Sequence, residues 1–268
     1  MQVASAQLPG VDESADRIFV TDNAVIVLDG ASAFEPVELD PGTYAQGIGE
    51  SIAAQLTDDP AADLPAIVAG GIAAVTERHD LRAEHSPSST VSILRVGPHE
   101  VDLYVLGDSP VHYGNDTEGW GLTDDRLAML PLPEREAYRA RLRAGHGFDD
   151  EHRRLLRDLQ VRERRYRNME SGYWIAETKP DAACHGILKR IPREQIEWAV
   201  LSTDGASEPL AHLGAEDWIS ISSYDGRQLH SLLARLQSWE DQHDPEAQQY
   251  PRAKRHDDKT LVSISLHP

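Results

Sequence analysis

Aspartates stand at the ends of apolar runs along the whole chain. Asp29 closes "AVIVLDG", Asp108 closes "LYVLGD", Asp204 closes "AVLSTDG", Asp257 and Asp258 open "HDDKTLVSISL", and Asp16 precedes "RIFV". Any one of these reads as a turn or strand cap, since Asp-Gly is a common turn dipeptide. Their recurrence at the same place relative to a strand is the signal. Carboxylates gathered at one end of a sheet repel one another unless a cation stands between them, and oxygen-only ligands select hard ions such as Mg2+ or Mn2+. The chemistry this predicts is a multi-metal acidic site. Two such ions roughly 3.5–4 Å apart can make hydroxide from bridging water and neutralise the charge on a phosphoryl oxygen.

Positioning such a site requires strands that end together. Ala24 to Leu28 are apolar, mostly β-branched and too few for a helix, so they read as an interior strand with Asp29 leaving it at the edge. "PGTYAQGIGESIAAQL" and "LPAIVAGGIAAVTERHDLRAE" carry apolar residues at helical spacing and are split by the turn "TDDPAAD". "STVSILRV" and "EVDLYVLGD" read as a hairpin through "GPH", with Val91 and Ile93, then Val101, Leu103 and Val105, on one face. From Arg126 to Arg167 the sequence turns helical and charge-dense, broken by "PLP" and "GHGFDD", which reads as an insertion or flap over about 126–170. Strand signals return at "SGYWIAE", "EWAVLSTDG" and "KTLVSISLHP", with a helix at "GRQLHSLLARLQSWEDQ" before the last and a mobile loop expected at "DQHDPEAQQYPRAKRHD". Long helices alternating with antiparallel strands predict an α+β layered fold rather than a doubly wound parallel sheet.

Composition narrows the function. At 268 residues one large domain is expected. A formal net charge of -19 disfavours nucleic acid or an anionic membrane as partner, because both demand basic footprints, but it welcomes divalent cations. Cys184 is the only cysteine, which excludes an intrachain disulfide and any cysteine-rich zinc site. The opening "MQVASAQLPGVDESAD" has neither the basic start nor the apolar core of a secretory leader, and "AIVAGGIAAV" is too short to span a bilayer. A cytoplasmic protein is expected.

Six pieces, "ADRIFV", "VLDGAS", "SSTVSIL", "LGDSP", "LSTDG" and "DDKTLVSI", follow one another in an order that resembles the type 2C (PPM-type) metal-dependent serine/threonine protein phosphatases, from about Asp16 to Leu266. The resemblance is to a divergent, bacterial-type member. It implies a four-layer α/β/β/α sandwich of two antiparallel sheets flanked by helix pairs, with a helical flap and the metals in a cleft at one end. It also implies that Asp29 bridges two Mg2+ or Mn2+ ions, with the Gly30 carbonyl on one of them and Asp204 and Asp257 on the other. Asp16 would orient metal-bound water, and Asp108 with Asp204 would hold a weaker third ion.

The departures concern the substrate more than the metals. The family's phosphate-clamping arginine, five residues before the first-motif aspartate, is Val11 here; its "DGHGG"-like turn is "DGAS", and "GDSR" has become "GDSP". Arginines between Arg135 and Arg167 could supply a replacement cation, although interleaved Glu134, Glu136, Glu151, Asp158 and Glu163 make most of them ordinary helix-surface pairs. "GIGESI" reads as helix rather than a dinucleotide loop, and "DGASE" at Ser207 as a turn lacking a nucleophile elbow. His112 and His256 read as surface or supporting residues, and Tyr173 and Trp174 as core. The resemblance therefore implies a Mg2+- or Mn2+-dependent phosphatase of phosphoserine or phosphothreonine in proteins. The alternatives are a small-molecule phosphatase with the same site and a pseudophosphatase that binds a phosphoprotein or other partner without turnover.

Overall fold

The computed structural model describes residues 1–266 apart from Asp12, Ser32 and Glu84. Its elements run β1 (Gln2–Leu8), β2 (Arg17–Val20), β3 (Ala24–Leu28), α1 (Pro41–Asp58), α2 (Leu64–His79), β4 (Val91–Val96), β5 (Glu100–Leu106), β6 (Val111–Gly114), β7 (Gly119–Leu122), α3 (Pro133–Arg143), α4 (Asp150–Arg164), β8 (Ile187–Pro192), β9 (Trp198–Ser202), α5 (Asp204–His212), α6 (Trp218–Ser222), α7 (Gly226–Gln242) and β10 (Lys259–Ser265). Two five-stranded sheets result, ordered β1-β10-β9-β6-β7 and β2-β3-β4-β5-β8, and their named pairings are antiparallel.

The layers follow from alternation along the strands. In β3, Ala24, Ile26 and Leu28 pack on the α1 and α2 face, whereas Val25 and Val27 point into the core between the sheets. That double burial is why this strand is apolar at every position. Val262 and Ile264 of β10 close the inter-sheet core from the other side, and Leu261 packs with Leu229, Leu233 and Leu236 of α7. Helix pair, sheet, sheet and helices thus stack as the expected α/β/β/α sandwich. Helices α1 and α2 each carry a proline in their first turn behind an aspartate cap, Asp40 to the Thr43 N–H and Asp63 to the Ala66 N–H, and α7 begins with an Asp225–Gln228 capping box. Helices α3 and α4 form a fourth apolar cluster of their own around Tyr138, Leu142, Leu156 and Leu159.

Several sequence expectations need correction. Register pairs Ile93 with Tyr104, so Val91 and Ile93 face the helices while Val101, Leu103 and Val105 face the other sheet. Both faces of this hairpin are buried, and an apolar residue on either one carries no sign of which side it serves. "SGYWIAE" is not a regular strand: it makes isolated bridges, Arg167 to Tyr173 and Ser89 to Ala176, and the Asn168 side chain accepts from the Ile175 N–H. The outer strand beside β5 is instead β8, whose charged "ILKRIP" conceals it. "DGASE" opens helix α5 rather than making a turn. The segment expected to be mobile is pinned by buried Arg252, which donates to Asp244 at 3.0 Å, and by Tyr250, which donates to Glu208 at 2.8 Å.

Candidate active site

Antiparallel register brings the aspartates to one end of the sandwich. Arg17 pairs with Leu28, so Asp16 before β2 and Asp29 after β3 leave the sheet side by side. Val91 pairs with Leu106, which puts the turn containing Asp108 at that same end. In the facing sheet Leu261 pairs with Ser202, so Asp204 after β9 lies next to Asp257 before β10. Sequence positions spread over most of the chain thereby share one cleft of 280 Å3, lined by Asp29, Asp108, Asp204 and Asp257.

Several of these acids sit on turns or in hydrogen bonds fixed by their surroundings. Asp29 is tied to Thr90 in both directions: its N–H donates to Thr90 Oγ1 at 3.1 Å, and its carbonyl accepts from the Thr90 N–H at 3.0 Å. Thr90 Oγ1 also meets Ser109 Oγ at 2.7 Å, which couples the Asp29 and Asp108 turns. Buried Asp16 accepts from Thr203 Oγ1 at 2.9 Å and Thr260 Oγ1 at 2.7 Å through one oxygen, while its Oδ1 has no protein partner. Asp258 is different in kind: its two oxygens accept from the Gly10 and Ala15 N–H groups at 2.8 Å each, so it ties the chain entering β2 to β10. Gly30 and Gly205 permit this crowding, because a Cβ would lie 2.8 Å from the Ala15 carbonyl oxygen in the first case and 2.0 Å from that of Asp258 in the second.

Crowding and burial shift the acids in a common direction. Desolvation, opposed by the two threonine hydroxyls and reinforced by Asp258 and Asp257, raises Asp16 to about 7. Burial raises Asp29 and Asp204 well above the usual carboxylate range; neighbouring acids add to this, and the two share one hydrogen bond. Burial also lifts Asp108 to about 6, with Glu208 and Asp124 adding repulsion. Without a metal, Asp16, Asp29, Asp108 and Asp204 therefore hold protons more tightly than isolated aspartates do.

Two residues missed in the sequence complete the cleft. Glu208 lies one turn after Asp204 on α5, so both face the site; the i, i+4 spacing was visible, but a helix at this point was not expected. Lys254 Nζ donates to Asp257 Oδ1 at 2.5 Å. Burial works against its charge, yet Asp257, Asp29 and Asp258 hold its pKa above the usual lysine range. Among the described residues no three His, Cys, Asp or Glu side chains close into a ready cage for an ion. The donor set nevertheless fits a hard divalent cation, being carboxylate-rich, mutually repelling and supplied with the unpartnered Asp16 Oδ1.

Several other sequence candidates fall outside. Val11 is 79% exposed and does not line the cleft. Ala31 of the "DGAS" turn lines it, and Ser32 lies outside the described residues. His112 stacks on Trp218, its pKa lowered by burial to about 4, and His256 is paired with Glu240 and Asp241. Several of the arginines between Arg135 and Arg167 are in surface ion pairs, as with Arg153 to Asp150, Arg154 to Glu151 and Asp158, and Arg143 to Glu136.

The architecture has solved counterparts. A bacterial serine phosphatase superposes with a TM-score of 0.58 at 10% identity, covering 100% of this chain and 98% of that one. The serine/threonine phosphatase Stp1 from Staphylococcus aureus gives 0.56 at 11% identity, covering 100% and 95%. The fold is that of the bacterial PPM-type phosphatases. The Mycobacterium tuberculosis serine/threonine phosphatase PstP/Ppp agrees at 0.56 and 15% identity, covering 97% and 96%. A structure of the PstP catalytic domain in complex with 2 manganese ions gives 0.54 at 16% identity, covering 97% and 96%. No family model and no curated protein matches the sequence itself.

Proposed function

We propose that the chain is a Mg2+- or Mn2+-dependent phosphoester hydrolase acting on phosphoserine or phosphothreonine in proteins, built as one phosphatase-like unit with residues of about 126–170 as a flap. The observation that carries this reading is the convergence of Asp16, Asp29, Asp108, Asp204 and Asp257 at one end of the sandwich, where burial and neighbouring acids raise Asp16, Asp29, Asp108 and Asp204. The PstP structure with manganese lends the reading its choice of ion.

Asp29, the Gly30 carbonyl, Asp204 and Asp257 would hold two ions, and Asp108 with Asp204 a third. When bound, the ions would supply an acidified water and neutralise charge on the phosphoryl oxygens. The chain's own residues do the rest. Asp16, fixed by Thr203 and Thr260 with Oδ1 unpartnered, is suited to accept a hydrogen bond from the attacking water and so to orient it. Thr90 and Ser109 keep the Asp29 and Asp108 turns at fixed separation. Tyr138, Leu156 and Leu159 put an apolar flap wall over the cleft, which limits water and strengthens the charges inside.

A small phosphoester is the second reading, favoured by Val11, which leaves the position of the family's clamp without a cation. Comparing a phosphothreonine peptide with a panel of small phosphate monoesters at saturating Mn2+ tests the choice. A peptide kcat/KM well above those of the small esters supports the protein reading, and the reverse order refutes it. The site is read as that of a cytoplasmic enzyme; among the described residues no helix is long and apolar enough to cross a membrane.

A further inference from the structure

Four cations line the acidic cleft: Arg135, Arg139, Arg167 and Lys254. Two are already committed. Arg135 donates to Glu163 at 2.9 Å and to the carbonyls of Leu127, Ala128 and Leu130, so its guanidinium is locked into the α3 and α4 pair. Buried Arg167 donates to Glu177 at 3.0 Å and to the Tyr173 hydroxyl at 3.1 Å. Both serve the frame of the flap.

Arg139 and Lys254 are not committed in this way. Among the described residues, Arg139 makes one long hydrogen bond, 3.3 Å from Nε to the hydroxyl of adjacent Tyr138, and has no carboxylate within ion-pair distance. Its outer N–H groups are left to donate. Lys254 spends one of its three N–H groups on Asp257. The two come from different walls, the flap helix α3 and the loop before β10. Besides the cleft they line an adjoining hollow of 140 Å3, together with Asp204, Glu208 and Asp257. A cation pair beside an acidic centre meets the need of a phosphate dianion, whose oxygens face carboxylates on one side unless positive charge is placed opposite.

We propose that Arg139 and Lys254 together grip the substrate phosphate, taking over the work of the arginine missing at position 11. This rests on the hydrolase reading of the same cleft. It also makes the flap a substrate-contacting element, since Arg139 stands on it between Tyr138 and Leu142 of the flap core.

The test uses the full chain and inorganic phosphate as probe, in wild type, Arg139→Gln, Lys254→Gln, Arg139→Lys, Lys254→Arg and the surface control Arg153→Gln, whose side chain pairs with Asp150 away from the cleft. Calorimetry reads phosphate binding to protein at saturating Mn2+, and a separate titration reads Mn2+ affinity. Each glutamine variant is expected to weaken phosphate binding by about tenfold, the size of a charged hydrogen bond, and to raise KM for an aryl phosphate more than it lowers kcat. The Arg139→Lys and Lys254→Arg variants should recover part of the loss, and Arg153→Gln should leave phosphate affinity unchanged. Unchanged phosphate affinity in both glutamine variants, a loss wholly explained by weaker Mn2+ binding, or a wild type that does not bind phosphate overturns the proposal. A wild type that binds phosphate through these two residues but turns over no ester keeps the grip and refutes hydrolysis instead.

Discussion

Thr260 donates its hydroxyl to Asp16 Oδ2 at 2.7 Å, joining the last strand to the start of the second across 244 residues of chain. The same oxygen accepts from Thr203, whose Oγ1 in turn accepts from the Thr260 N–H at 3.1 Å. Three segments distant in sequence thus converge on one buried carboxylate. Replacing Thr260 by valine keeps the shape and removes the donor. We expect the Thr260→Val variant to lose about 1–3 kcal/mol of stability and to bind Mn2+ more weakly, as read by urea unfolding and calorimetry. Unaltered stability would mean that this contact does not hold Asp16.

Asp29→Asn and Asp204→Asn should each abolish most activity while leaving the metal-free protein as stable as wild type or more so. Removing one of several crowded acids relieves both repulsion and the cost of burying charge. Thermal melts in chelator and Mn2+ titrations check this, and wild-type Mn2+ affinity in both variants would show that the ions bind elsewhere.

Stability of the metal-free protein should fall as pH rises. The folded state holds the Asp16 proton up to about 7 against an ordinary value of 3.8, so its contribution is fully present below 3.8 and is lost as pH rises through about 7. Asp29, Asp204 and Asp108 are raised in the same direction and add to the trend. Mn2+ binding should show the opposite slope, tightening with pH and releasing protons, because ligation needs the ionised acids. Unfolding in chelator and calorimetry in buffers of different ionisation enthalpy measure the two slopes.

Arg135→Gln should destabilise the α3 and α4 pair and, because Arg139 stands one turn further along α3, also raise KM for an aryl phosphate. Its guanidinium serves Glu163 and three carbonyls, and its loss leaves Glu163 and the Leu127 and Leu130 carbonyls half-buried and unpaired, at a cost of about 1–3 kcal/mol. Proteolysis within the flap, compared with the rate in wild type, reads this directly.

The convergence of the acids was legible because they sit where strands end. Asp29 and Asp204 follow fully buried strands, so the change from apolar run to carboxylate marks the edge of the sheet in the sequence itself. Helix α7, from Gly226 to Gln242, was equally plain, with leucines at 229, 232, 233 and 236 on one face behind an Asp225 cap. Strand β8 was hidden because it is an outer strand, with Leu188, Lys189 and Arg190 exposed in succession and no alternation to read.

Glu208, Lys254 and Arg139 were hidden for a different reason. Glu208 faces the cleft only because α5 begins at Asp204, and the Asp-Gly pair there looked like a turn. Lys254 lies in a segment whose polar composition resembles a free loop but whose Arg252 is buried against Asp244. Arg139 is one arginine among many between Arg135 and Arg167, and what distinguishes it is that it lines the cleft while its hydrogen bond among the described residues goes only to Tyr138. That is a property of packing, which no spacing rule encodes.

The most direct test of the central claim is turnover of an aryl phosphate by the purified chain, measured with added Mn2+, with added Mg2+ and in excess chelator. Metal-dependent hydrolysis predicts activity with either ion, none in chelator, and full recovery when the metal is restored. Equal turnover in excess chelator, or no turnover with either ion, would contradict it.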